Sequence, residues 1–240
     1  MTYVIGDVHG NYNTLNDLIK HTSKNDTLIF VGDLIDRGKY SRQTVRLARQ
    51  NGYKCILGNH ETMMIESLHT FLNDYPTNFR FSDLYFWLEC GGRETLLSYE
   101  LIRIENNDIV FNENNKYFDD FISDLYWMKT LPLYLELEHK INDKRVVISH
   151  SCISNVWDKK DDENYKDMLE EHVLWDRQTP HENSNIFNVY GHTKVNNVIV
   201  KENYAAIDTG CFSRNKRFGK LSAFCLEDQK IISVFRNLND

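Results

Sequence analysis

Five times along the 240-residue chain, a short β-rich apolar run stops at a cluster of glycine, carboxylate, amide or imidazole residues. Tyr3-Val4-Ile5 leads into Gly6-Asp7-Val8-His9, and Leu28-Ile29-Phe30-Val31 into Gly32-Asp33. Cys55-Ile56-Leu57 leads into Gly58-Asn59-His60-Glu61, Val146-Val147-Ile148 into Ser149-His150, and Phe187-Asn188-Val189-Tyr190 into Gly191-His192. Short apolar runs bounded by turn residues read as buried strands. A chain whose strands end this way needs a fold that gathers strand ends on one rim, which is where open α/β sheets collect their ligands.

Helical patterns separate the first three runs. Leu15, Leu18, Ile19 and Thr22 repeat at i, i+3, i+4 and i+7, and Ser41 reads as the N-cap of a second helix ending at Gly52. The β-α-β-α-β alternation predicts largely parallel strands with helices covering the sheet. The pattern changes over roughly 62–129, where Met64, Leu68 and Phe71 continue one helix and Phe118, Phe121, Ile122 and Leu125 mark another. This stretch reads as a helical insertion within one domain of residues 1–240, with a break at Gly91-Gly92 and a loop or short hairpin over Asn106–Asn115. Leu133, Leu135 and Leu137 then alternate with polar residues, and a turn at Asn142-Asp143 predicts an antiparallel pair with the Val146 run. Strand-like runs at Ala205–Asp208, Leu221–Leu226 and Ile231–Phe235 close the chain.

Composition narrows the function. The chain is 41% hydrophobic and 26% charged, as ordinary globular proteins are, and its net charge of −7 argues against a nucleic-acid partner held through phosphates. No apolar run approaches the ~20 residues of a membrane helix, and Met1 leads almost at once into a strand, so the expectation is a cytoplasmic protein without a signal peptide or membrane partner. Cys55, Cys90, Cys152, Cys211 and Cys225 form no C-x-x-C pair and are odd in number, which predicts reduced, mostly buried thiols. Of these, Cys152 and Cys211 are expected near the chemistry.

Asp7, His9, Asp33, Asn59, His150 and His192 form one constellation. Carboxylate, imidazole and amide oxygen together suit divalent ions of intermediate hardness such as Mn²⁺, Fe²⁺ or Zn²⁺, and the absence of cysteine argues against a thiolate zinc site. Six ligands exceed one tetrahedral shell, whereas two ions sharing a carboxylate use them all and keep positions for water and a phosphate oxygen.

Gly6-Asp7-Val8-His9-Gly10, Gly32-Asp33-Leu34-Ile35-Asp36-Arg37-Gly38, Gly58-Asn59-His60-Glu61, His150 and Gly191-His192-Thr193 resemble the signature of the phosphoprotein phosphatase family of calcineurin-like metallophosphoesterases. The likeness is to small bacterial and phage serine/threonine phosphatases, and it extends to Gly91-Gly92, Leu174-Trp175-Asp176-Arg177 and Ile207-Asp208-Thr209-Gly210. The resemblance implies an α/β fold, a β-sandwich of two mixed sheets flanked by helices. It implies that Asp7, His9 and Asp33 bind one metal, that Asn59, His150 and His192 bind a second, and that Asp33 bridges them. Manganese is the expected metal, with iron, zinc or nickel as alternatives. By the same resemblance His60 is the general acid, Asp36 orients it, and Arg37, Arg177 and Asn59 bind the phosphate. A metal-bridging hydroxide then attacks phosphorus in a single displacement while His60 protonates the leaving oxygen. These roles agree with the chemistry, because a monoester dianion needs its charge neutralised by guanidinium contacts and its leaving group protonated.

The expected substrate is a phosphorylated protein or a small phosphomonoester. The alternative is a symmetrical diadenosine tetraphosphate hydrolase of the same fold. Such hydrolases typically carry Asn-His-Asp and Ala-Arg-Gly where this chain has Asn59-His60-Glu61 and Asp36-Arg37-Gly38. His150 is followed by Ser151-Cys152, a departure from the family pattern, and Arg214-Asn215-Lys216-Arg217 is either a steering patch or a solvated loop. Met63 and Met64 read as core.

Overall fold

The computed structural model describes residues 1–74, 81–106, 108–215 and 217–240, and only the backbone of 69–74 and 81–83. In chain order, β1 (Thr2–Ile5), α1 (Tyr12–Ile19), β2 (Thr27–Phe30), α2 (Ser41–Gln50), β3 (Lys54–Cys55) and α3 (Asn59–Asp74) form the first half. There follow α4 (Phe81–Trp87), a π-helical turn (Leu88–Gly92), α5 (Arg93–Ser98), the hairpin β4 (Ile102–Glu105) and β5 (Asp108–Phe111), and α6 (Phe118–Met128). The second half holds β6 (Tyr134–Ile141), β7 (Lys144–Ser149), α7 (Lys166–Trp175), β8 (Ile186–Tyr190), β9 (Ile199–Val200), β10 (Tyr204–Ala206), β11 (Lys220–Cys225) and β12 (Ile231–Phe235).

Side chains at alternate strand positions part to opposite faces. Val4, Ile29 and Val31 therefore enter one core while Ile5, Leu28 and Phe30 enter another. The first sheet runs β12-β11-β1-β2-β3 and the second β6-β7-β8-β10-β9. Each keeps three parallel strands in sequence, β1-β2-β3 and β7-β8-β10, and is completed by antiparallel neighbours. Between the sheets, Val4, Ile29, Ile56, Val146, Ile148 and Val189 make a dry layer in which Phe187 stacks on Phe224 with centroids 6.2 Å apart. Leu15, Leu18, Val45, Ala48 and Met64 cover the outer face of the first sheet, and Leu169 and Val173 of α7 cover the second. This is the expected pair of mixed sheets flanked by helices.

Some expectations need correction. Ser41 is the first residue of α2, not its cap, and its hydroxyl accepts the Asp36 N–H at 3.0 Å. The helical segment begins at Asn59 rather than 62, and it includes the β4–β5 hairpin, which starts ahead of the Asn-rich stretch. Helix α7 had no counterpart in the sequence reading, since Leu169, Val173 and Leu174 are its only buried residues and give a weak stripe. The Asn142-Asp143 turn holds, with φ of 51° and 61° joining β6 to β7 as a two-residue hairpin demands. Met63 and Met64 are both core. The side chain of Phe71 and residues Asn107 and Lys216 lie outside the described residues.

Helix α1 is capped from a distance. The Asn11 amide, at the cap position, is engaged with the carbonyls of Val8 and His9, so it leaves the first-turn N–H groups unmet. Asp240 meets them instead: Oδ1 accepts the Asn13 N–H at 3.0 Å and Oδ2 the Thr14 N–H at 2.9 Å. A carboxylate at a helix N-terminus is stabilised by both the bonds and the dipole. Asp240→Ala should therefore lower the folding free energy by about 1–2 kcal/mol, as loss of an N-cap does, read as a shift in the urea midpoint. An unchanged midpoint would mean that this carboxylate is not the cap.

Candidate metal centre and phosphate pocket

Three of the turns that deliver site residues carry backbone strain. His9, Asp33, Asp36, Arg37 and His192 all adopt positive φ, between 48° and 72°. Such conformations cost roughly 1–3 kcal/mol each and persist only where the surroundings impose them. The loops impose them on one another. His9 N–H donates to the Asp33 carbonyl at 2.8 Å, and Gly10 N–H to the Leu34 carbonyl at 2.8 Å. Glu61, wholly buried on the first turn of α3, accepts N–H bonds from Asp33, Leu34 and Gly58 at 2.8, 2.8 and 3.0 Å. Gly191 is needed for close approach, since a Cβ there would stand 2.0 Å from Asp7 Oδ1.

The ends of both parallel strand sets thus meet at Asp33. Its Oδ2 lies 3.4 Å from His9 Nε2, and its Oδ1 lies 3.4 Å from His150 Nε2. Around Oδ1, Asn59 Oδ1 stands 2.8 Å from His150 Nε2 and 3.2 Å from His192 Nδ1, and the two imidazole nitrogens are 3.2 Å apart. Asp7 accepts the His192 N–H at 3.1 Å and groups with Asp33 and His150. All six ligand positions named from the sequence are buried and converge on this point.

The ring nitrogens identify what is missing between them. His9 Nδ1 donates to the Ile35 carbonyl at 2.9 Å and His150 Nδ1 to the Val31 carbonyl at 2.8 Å, which leaves both Nε2 atoms as lone-pair acceptors. The His150 lone pair then faces the oxygens of Asn59 and Asp33, an arrangement that repels unless a cation lies among them. Charge states agree. Burial, with Arg37 nearby, holds His9 well below the ordinary imidazole range; burial lowers His150, and burial with His150 holds His192 down to about 3. Burial, reinforced by the charges of Asp208 and Asp33, raises Asp7 well above the usual carboxylate range, and burial lifts Asp208 to about 6. Neutral imidazoles beside carboxylates starved of counter-charge are what a divalent centre requires. The residues fit a metal pair.

His60 and Asp36 lie alongside. His60 Nδ1 donates to Asp36 Oδ2 at 2.6 Å, both side chains are buried, and His60 Nε2 points toward Asp33 Oδ2 at 3.9 Å. Burial alone would lower the imidazole, but the Asp33 charge and the Asp36 hydrogen bond outweigh it and raise His60 above its ordinary range. Arg37, exposed, rests its Nη1 2.9 Å from His9 Nε2 and its guanidinium 4.2 Å over the Phe212 ring. With Arg177 and Lys194 it lines a cavity of about 400 Å³ floored by Asp7, Asp33, Asn59, His60, His192 and Asp208. Larger grooves at Gln178–Tyr204 and along Arg236–Asp240 contain none of these residues.

Glu61, Asp208, Lys194 and Phe212 were missed as site residues. Asp208 follows β10 as the six predicted ligands follow their strands, so the same signal was available. Glu61 gave none, because the amides it binds belong to a loop 28 residues away. Cys90 replaces the two cysteines expected near the chemistry: it lines the cavity, whereas Cys152 and Cys211 are buried in apolar clusters.

The profile of the calcineurin-like phosphoesterases matches residues 2–196, and the chain belongs to that family. Over 222 residues it is 28% identical to serine/threonine-protein phosphatase 2 of Escherichia coli (strain K12), which covers 87% of this chain and 86% of that protein. It is also 28% identical to the symmetrical bis(5'-nucleosyl)-tetraphosphatase of Buchnera aphidicola subsp. Baizongia pistaciae (strain Bp), over 65% of this chain but only 45% of that protein. A candidate diadenosine tetraphosphatase of known structure superposes with a TM-score of 0.61 at 18% identity, covering 99% of this chain and 94% of its own. The protein is a metallophosphoesterase, a hydrolase of phosphoesters. Among the described residues, no helix is long and apolar enough to cross a membrane.

Loading the centre should displace protons. Asp208, lifted to about 6, is part protonated at pH 6 and Asp7 is raised in the same direction, while burial lowers His9, His150 and His192 toward their neutral forms. Titration of the metal-free protein with Mn²⁺ in buffers of different ionisation enthalpy should thus show net proton release that is larger at pH 6 than at pH 8. Equal release at both values would contradict the raised carboxylates.

Proposed function

We propose that this chain is a metal-dependent protein serine/threonine phosphatase, acting on phosphorylated proteins and small phosphomonoesters in the cytoplasm. The observation that carries the reading is the buried His60–Asp36 pair, 2.6 Å apart, set beside Asp33 under a rim of Arg37, Arg177 and Lys194. Asp7, His9 and Asp33 would hold one ion, and Asp33, Asn59, His150 and His192 the other. When bound, the two divalent ions, with manganese favoured over iron, zinc or nickel, supply Lewis-acid activation of water and neutralisation of phosphoryl charge. Arg37 cannot share the His9 lone pair with a cation, so in the loaded protein its guanidinium is free for the phosphate, where Arg177 and the Asn59 amide join it. Asp36 holds the Nδ1 proton of His60, which leaves Nε2 to carry the proton delivered to the departing serine or threonine oxygen. The Cys90 thiol is raised by burial and is no nucleophile at neutral pH, consistent with a single displacement. Full-length similarity to a serine/threonine phosphatase, against under half the length of a tetraphosphatase, supports a protein substrate.

The deciding experiment strips the metal, restores Mn²⁺, Zn²⁺, Ni²⁺ or Mg²⁺ separately, and compares phosphoserine, phosphothreonine and phosphotyrosine peptides with diadenosine tetraphosphate. Peptides should be the better substrates with Mn²⁺. Faster cleavage of diadenosine tetraphosphate would establish the alternative, a symmetrical dinucleoside tetraphosphate hydrolase. Within the phosphatase reading, His60→Asn should lose about 10²–10⁴-fold in kcat on a phosphoserine peptide, the usual worth of acid catalysis, but far less on p-nitrophenyl phosphate, whose leaving group needs no proton. Its metal content should stay unchanged, whereas Asp33→Asn should fail to retain both ions; if His60→Asn loses an ion, His60 is a ligand.

A further inference from the structure

Beyond α3, the inserted segment grips Asp36 from two sides. Trp87, fully buried at the end of α4, donates its indole N–H to Asp36 Oδ2 at 2.9 Å, the same oxygen that receives His60 Nδ1–H. Thr95 of α5 donates its hydroxyl to Asp36 Oδ1 at 2.6 Å and accepts the Asp36 N–H at 3.0 Å, with Ser41 Oγ 3.0 Å away. Asp36 is wholly buried, so no water replaces a lost donor.

The kink between α4 and α5 makes this double grip possible. Trp87 and Thr95 stand on either side of it, in two helices whose continuity Gly91 breaks with non-helical φ and ψ of 115° and 6°. Gly91, at φ 115°, turns its carbonyl to accept the Arg37 N–H at 3.2 Å, and the Cys90 carbonyl accepts Arg37 Nε–H at 3.4 Å. Gly92 packs flat on the Trp87 indole, where a Cβ would stand 2.4 Å from a ring atom.

We infer that Trp87 and Thr95 are positioning residues for leaving-group protonation: they fix the Asp36 carboxylate so that Oδ2 meets His60 Nδ1 and the ring presents Nε2 to the cavity. The inserted segment is on this view a brace for Asp36 and Arg37. The inference rests on His60 being the general acid, as proposed above.

Trp87→Phe keeps an aromatic ring and removes the N–H; Thr95→Val keeps the shape and removes the hydroxyl; Thr95→Ser restores a hydroxyl. Each is assayed on a phosphoserine peptide and on p-nitrophenyl phosphate, with metal content and thermal midpoint measured alongside and His60→Asn run in parallel. Trp87→Phe and Thr95→Val should lose on the order of 10–100-fold in kcat on the peptide, part of the worth of the acid itself, and no more than about 3-fold on p-nitrophenyl phosphate. KM and metal content should hold, and Thr95→Ser should recover most of the loss. Equal losses on both substrates, loss of metal, or no loss on the peptide would each overturn the positioning role. Where Thr95→Val does not fold, Trp87→Phe, whose ring still fills its site, decides alone. If His60→Asn itself shows no dependence on the leaving group, the acid assignment falls; if His60→Asn shows it and Trp87→Phe does not, only the present inference falls.

Discussion

A carboxylate that is buried and shared governs this structure. Asp33 is 2% exposed and stands within 3.4–3.9 Å of the imidazoles of His9, His60 and His150. Burial alone would raise it, yet attraction to the surrounding imidazoles in their protonated form outweighs burial and holds it below the usual carboxylate range. Removing such a charge from water costs several kcal/mol unless opposite charge is brought to it. The remaining architecture supplies the means: strand ends from two sheets aim imidazoles and an amide at both oxygens, and backbone carbonyls fix the tautomers that keep the lone pairs directed inward.

Aiming those side chains requires backbone that few residues adopt. Five strained positions lie within three loops, and at roughly 1–3 kcal/mol each they are a large load for a domain. Hydrogen bonds between the His9 and Asp33 loops, the amides gathered on Glu61, and the dry layer between the sheets offset it. Glu61 is itself raised by burial, and by the nearby Asp33 charge, to about 7, while the N–H bonds it accepts from Asp33 and Leu34 pull it the other way. Aligned strands in two packed sheets give rigid ends from which to hang a precise site.

The strand ends and the polar residues that converge there were legible in the sequence because each lies within a few residues of a short apolar run, where period-two burial and the following glycine mark the turn. Asp7, His9, Asp33, Asn59, His150 and His192 are all of this kind. Features that depend on partners far along the chain were not legible. Ser41 looks like a cap and instead serves the Asp36 loop; Asp240, which caps α1, is more than 220 residues from the amides it accepts. The break at Gly91-Gly92 was legible, but not that the helices on either side of it set Trp87 and Thr95 against Asp36, more than fifty residues earlier in the chain. Helix α7 was lost because its outward face includes the apolar Met168 and Trp175, which blurs the amphipathic pattern.

Strand β1 sits between β2 and β11 in the first sheet, so one of its two neighbours comes from residues 220–225. Asp7 and His9 follow β1 directly, and the helix beyond them is capped by Asp240. Residues near one end of the sequence are consequently fixed in part by residues near the other. During synthesis β1 can pair with β2 early, but its other edge stays open until more than two hundred residues later, so closure of the sheet and completion of the metal centre coincide. Such long-range pairing slows folding through the entropy of closing the loop, and it ties the turn that carries Asp7 and His9 to a strand more than two hundred residues away.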